Sequence, residues 1–166
     1  MHMFGILSWI LVMLAPEEIL ILGGAKYKMA VWLIAPMVSG TLFRFYSYSY
    51  SALQNYYKRT QYVAAGTIGT MVLNVILNYV CILNFGYMAA AYTTAFSYII
   101  LLLVQGILEH KITGMVIVPL HKTVLIAIAY GAINLLSMNL YRVAWYYRYA
   151  AVSYTHLRAH ETRSNL

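Results

Sequence analysis

Asn74 to Thr94, NVILNYVCILNFGYMAAAYTT, decides how this chain reads. One apolar helix ends at Asn84-Phe85-Gly86, and a second, opening on alanines, begins directly after that turn. The polar atoms inside the stretch are few and lie at helical spacing. Asn74 and Asn78 stand at i and i+4, in a run too apolar to be a water-facing surface. This is the pattern of a membrane hairpin. Ala89, Ala90, Ala91, Thr93, Thr94 and Ala95 let helices approach closely in lipid, where packing replaces the hydrophobic drive. Asn74 and Asn78 are expected to hydrogen-bond to a neighbouring helix, or else to line a cavity.

Composition carries the same reading to the whole chain, with 63% hydrophobic residues, 9% charged and a mean hydropathy of +0.70. Soluble domains carry about a quarter charged residues. The expected fold class is therefore all-α, a polytopic transmembrane helix bundle. A bilayer core about 30 Å thick needs about 20 apolar residues per helix, so the length allows about five membrane segments and no separate soluble domain. The formal net charge is +7, yet the basic residues stand singly or in pairs between apolar runs rather than in one stripe, which argues against nucleic acid. Cys81 is the single cysteine, so no internal disulfide forms and no metal cluster is expected. Met1 to Leu14 lacks the basic start and cleavage site of a removable signal peptide. The chain starts as if in mid-helix, and a fragment of a longer reading frame is expected.

The first apolar segment, Met3 to Ala15, is too short to cross alone, and Pro16 with Glu17 and Glu18 is expected to end it. Ile19 to Leu22 then reads as a short interfacial piece, with Tyr27 and Trp32 at headgroup level. Glu17 and Glu18 are candidates for a coupling cation, although acids at a helix end are more often simply solvated. The second span is expected from about Met29 to Leu53, the third from about Tyr62 to Leu83, the fourth from about Tyr87 to Leu108 and the fifth from about Thr123 to Leu140. Gln54 to Thr60 reads as a polar loop, and Glu109, His110 and Lys111 as the close of the fourth span. Gly66 and Gly69 are read as points of close helix contact, and Asn134 as the main polar residue of the last span. Lys58, Arg59, Lys111 and Lys122 place two loops in the cytoplasm and the Asn84 to Gly86 turn outside. Lys26, Lys28, Arg142 and Arg148 fall on the other side and weaken that orientation.

The second span is unusual because it carries Arg44 and then alternates tyrosine and serine from Tyr46 to Ser51. At 1.5 Å per residue Arg44 lies about 21 Å of helix from Lys58, within hydrocarbon depth. A charge there costs about 3 kcal/mol on insertion scales and usually faces a bundle interior or a wet cavity. Pro36 and Gly40 could bend the helix towards such a cavity. The competing reading has Arg44 snorkelling to an interface. No phosphate-cradling glycine loop, paired catalytic carboxylates, Ser/His/Asp set or HExxH motif precedes Val152, so catalysis is not expected. No cofactor is implied.

From Val152 to Leu166 the composition turns abruptly polar. VSYTHLRAHE resembles a frame-shifted translation of a sequencing-library transposase adapter, so residues 152–166 are expected to be non-native, and residues 1–151 to be a transmembrane fragment. The spacing of His156, His160 and Glu161 would then carry no metal chemistry.

The order PEEILILGGAKYKMA, a span, YYKRT, then LNVILNYVCILNFGYMAAAYTTAFSY resembles the C-terminal half of the polysaccharide biosynthesis proteins, the oligosaccharide-lipid flippases of the MATE-like superfamily. The likeness covers about Ala15 to Leu108, with weaker support to Ala151. It implies a two-lobed transporter of 12 to 14 helices in the bacterial inner membrane. This chain would form part of its C-terminal lobe, and the cargo would be an undecaprenyl-pyrophosphate-linked sugar. Guanidinium binds phosphate oxygens in a bidentate way, so Arg44 is the candidate for the pyrophosphate, with Tyr46, Tyr50 and Gln54 as sugar contacts. No family motif fixes these four. A MATE-like exporter of small molecules, whose cavity would need a buried acid that no span from the second to the fifth supplies, and a noncatalytic membrane scaffold are the alternatives.

Overall fold

The computed structural model describes residues 2–23, 29–114 and 118–142. All regular structure among them is helical: α1 (His2–Gly23), α2 (Ile34–Tyr56), α3 (Thr60–Phe85), α4 (Ala89–Thr113) and α5 (Leu120–Ser137), with 3-10 turns at Ala30–Leu33 and Met138–Arg142. Three stretches are long and apolar enough to cross a membrane: Thr60–Phe85, Ala89–Ile112 and Leu120–Tyr141. Helix α2 is long enough, but its serines, tyrosines and Arg44 keep it out of that group.

Short connections make successive helices from α2 to α5 run up and down, so α2 and α4 run parallel. Helix α2 occupies the centre, packed chiefly on α4 and α5 and also against α1. Helix α3 leans on α4 and meets α2 only lightly. The main core gathers Leu42, Phe43, Tyr46 and Tyr50 of α2 with Leu102 of α4 and Ala127 of α5. Two glycines set how closely α2 is embraced. A Cβ on Gly40 would stand 3.1 Å from the Ala95 Cα on α4, and one on Gly131 of α5 would stand 2.6 Å from the Phe43 ring. Gly66 likewise meets Gln105, whereas Gly69 has open space around its Cα, so only the first of the two is a contact point.

Several boundaries differ from the sequence expectation. Pro16 does not end the first helix: α1 runs through it to Gly23, with Pro16 buried. Proline is tolerated inside apolar helices when neighbours re-satisfy the freed backbone. Gln54, Asn55 and Tyr56 are the last turn of α2, leaving only Tyr57 to Arg59 as the connection to α3. Lys58 takes a positive φ of 56° in that connection, and the Arg59 N–H donates to the Gln54 carbonyl at 2.9 Å. Helix α4 also runs past Glu109 by a full turn. The turn at Gly86 forms where it was expected: its φ of 78° suits a residue without Cβ, and its N–H donates to the Ile82 carbonyl at 2.9 Å. The side chains of Glu17 and Glu18, the stretch holding Lys26, Tyr27 and Lys28, the rim at Trp145 to Arg148 and the tail from Val152 lie outside the described residues.

Candidate functional site

Helix α2 has two faces of different character, and the candidate site residues divide between them. A helix turns about 100° per residue, so Tyr46 lies about 200° from Arg44, while Tyr48 lies within about 40° of it. The structure follows this geometry. Arg44 is exposed, beside exposed Thr41 and Tyr48, whereas Tyr46, Tyr50 and Gln54 are 0% exposed. The four proposed cargo contacts therefore do not form one site. Alternating tyrosines along RFYSYSYS suggest one aromatic surface in the linear sequence, but helical rotation sends Tyr46 and Tyr50 into the core.

On the exposed face the Arg44 guanidinium donates to the Tyr98 hydroxyl of α4 at 3.3 Å. Its central carbon lies 5.7 Å from the Tyr48 ring centre and 5.6 Å from that of Tyr98. Cation–π attraction from two rings holds the group in place. Among the described residues no carboxylate pairs with it. Guanidinium has five N–H donors in a fork, so most remain available to a further acceptor.

Beside the apolar core, the buried face of α2 carries a polar seam along Ser47, Ser51 and Gln54. Gln54 Nε2 donates to the Gln105 carbonyl at 3.0 Å and to Gln105 Oε1 at 2.8 Å, and Gln105 Nε2 donates onward to the Val63 carbonyl of α3 at 3.2 Å. One pair of glutamines thus ties three helices. Ser47 and Ser51 satisfy their hydroxyls on carbonyls of α2 itself, those of Arg44 and Ser47. Glu109 of α4 and Thr123 of α5 are each 1% exposed and stand near enough to the Tyr50 hydroxyl to act on it. The Tyr50 hydroxyl lies beside Thr123, and Gln54 Oε1 is buried without a hydrogen-bond partner among the described residues. Glu109 was expected as the polar end of a span. It is instead a buried acid inside the stretch Ala89–Ile112.

The opening hairpin carries a second ladder. Asn74 Nδ2 donates to Ser97 Oγ at 3.2 Å and to Thr94 Oγ1 at 3.4 Å, Asn78 Nδ2 donates to Asn74 Oδ1 at 3.0 Å, and Thr93 donates to Asn78. Both asparagines bind α4 rather than facing open space. At the other edge of the bundle Asn134 Nδ2 donates to Ser8 Oγ at 3.2 Å and Trp9 Nε1 to Ser137 Oγ at 3.0 Å, joining α1 to α5.

Sequence reasoning missed Tyr48, Tyr98, Gln105 and Glu109. Tyr48 could have been found from its i+4 relation to Arg44. The other three depend on which face of α4 meets α2, which no local pattern specifies. No three histidine, cysteine or carboxylate side chains cluster as metal ligands among the described residues. No family model, curated protein or solved structure matches the chain.

Proposed function

We propose that this chain is part of a multi-pass transporter of the bacterial inner membrane that flips a lipid-linked oligosaccharide, with Arg44 contacting the pyrophosphate. The observation that carries the reading is an exposed guanidinium, framed by Tyr48 and Tyr98, in the middle of a 23-residue helix. A charge at that depth costs about 3 kcal/mol unless it meets water or an anion, so the Thr41, Arg44 and Tyr48 face belongs against a wet cavity. Tyr48 and Tyr98 replace Tyr46, Tyr50 and Gln54 as the aromatic and polar surroundings of the cargo head. The test is Arg44→Ala in a full-length homologue, read as surface glycan per unit of membrane-inserted protein. Glycan should fall at least about tenfold, as loss of a charged contact worth 1.4 kcal/mol or more gives. Arg44→Lys should restore only part, because an ammonium lacks the planar fork. Wild-type glycan from Arg44→Ala would leave a noncatalytic scaffold as the better reading.

Glu109 favours a second reading. A MATE-like exporter coupled to a cation needs a buried acid, and α4 carries one beside Tyr50. If Glu109→Gln abolishes export of cationic dyes while Arg44→Ala leaves it intact, the exporter reading replaces the flippase.

A further inference from the structure

The end of the bundle that holds the α2–α3 and α4–α5 connections carries Lys58, Arg59, Lys111 and Lys122, all exposed, with exposed His110 and His121. The opposite turn, Asn84 to Tyr87, has no charge. Exposed Tyr56, Tyr57 and Tyr62 flank the α2–α3 connection at this end, as amphipathic rings do at a membrane–water interface. At this end α4 and α5 touch through Gly106, where an added Cβ would collide with the Leu120 side chain. Elsewhere these two helices meet little. A crevice of about 250 Å³ lies beside that contact, lined by Gly106, Ile107, Val118 and Leu120 and by His110, Lys111 and His121, with Glu109 in its wall. The Glu109 side chain is 1% exposed and lies near Tyr50, so the mouth presents two imidazoles and an ammonium outward.

We propose that this crevice binds one anionic phospholipid, with its headgroup phosphate at His110, Lys111 and His121 and an acyl chain along Ile107, Val118 and Leu120. A basic pocket between membrane helices on the positively charged side is the arrangement that selects anionic headgroups. The apolar floor beneath the basic mouth distinguishes a lipid from a free anion, because a phosphate alone gains nothing from Ile107 or Leu120. The inference is independent of what the transporter carries.

The experiment uses the chain purified in mixed micelles of equal phosphatidylglycerol and phosphatidylcholine, with retained lipids counted by native mass spectrometry. One phosphatidylglycerol should be retained about fivefold over phosphatidylcholine, the scale that a single cationic contact near the surface supplies. Lys111→Gln with His121→Gln should abolish that preference. Ile107→Trp should block the adduct with every charge in place. Lys58→Gln with Arg59→Gln, which removes two charges at the other connection, should leave it unchanged. Helical circular dichroism verifies that each variant compared is folded, and if Ile107→Trp unfolds, the two charge pairs still decide. Equal retention of the two lipids by the unaltered chain overturns the proposal. So does an equal loss in both charge pairs, the mark of diffuse attraction. A lipid-free chain that holds inorganic phosphate through Lys111 and His121 overturns it in favour of a free-anion site.

Discussion

Helices α2 and α3 both pack on α4, but they reverse the rule that governs proteins in water. Helix α3 is the more apolar, with a mean hydropathy of 1.8 over its most apolar window, and only 6% of that window is buried. Helix α2 carries serines, tyrosines and Gln54, and beside Leu42 and Phe43 it buries Ser39, Tyr46, Ser47, Tyr50, Ser51 and Gln54. In water the apolar helix would sink and the polar one would surface. In a bilayer lipid accepts the Ile, Val and Leu of α3, and polar groups find their partners inside. The three apolar stretches and this inversion are both compatible with an integral membrane protein.

The comparison breaks most sharply at Val75, which is 61% exposed on α3. Val75→Lys should lower membrane insertion of α3 by about 3 kcal/mol, read as the inserted fraction in a glycosylation-mapping assay, since that is the cost of a central lysine. On a water-facing helix the same change would lie within about 0.5 kcal/mol of neutral.

A smaller effect sharpens the contrast between a packed and an open glycine. Gly131→Ala drives a Cβ against the Phe43 ring and should destabilise the bundle by about 1–3 kcal/mol, read from denaturation in detergent. Gly69→Ala meets nothing and should be neutral or stabilising by up to about 1 kcal/mol, from helix propensity.

The smallest effect concerns the buried polar seam. A double-mutant cycle on Gln54→Leu and Gln105→Leu should give a coupling of about 0.6–1.7 kcal/mol, the range for hydrogen bonds between membrane helices. A coupling near zero would mean the two glutamines satisfy themselves elsewhere, and that α2 is not held to α4 by its polar face.

The helical class was legible because hydrophobic runs and the Gly86 turn are local signals. The α3–α4 hairpin and the end of α3 follow directly from NFG and the alanines after it. Two of the displaced boundaries have a physical reason. Pro16 and Glu109 are strong local signals for a helix end, but both side chains are buried in the bundle and both helices run on past them. The candidate site was half legible. A single arginine within a membrane-length helix marks itself by its cost, and helical rotation alone separates it from Tyr46. Its partner Tyr98 lies 54 residues away and depends on how α2 and α4 dock.

Spin labels placed in turn at Val75 and at Tyr48, in the chain reconstituted into vesicles, test the inverted polarity and the wet Arg44 face together. Collision rates with oxygen and with a water-soluble nickel chelate should report lipid at Val75 and water at Tyr48. Water at Val75 would contradict the membrane placement of α3, and lipid at Tyr48 would take Arg44 away from any cavity and the cargo reading with it.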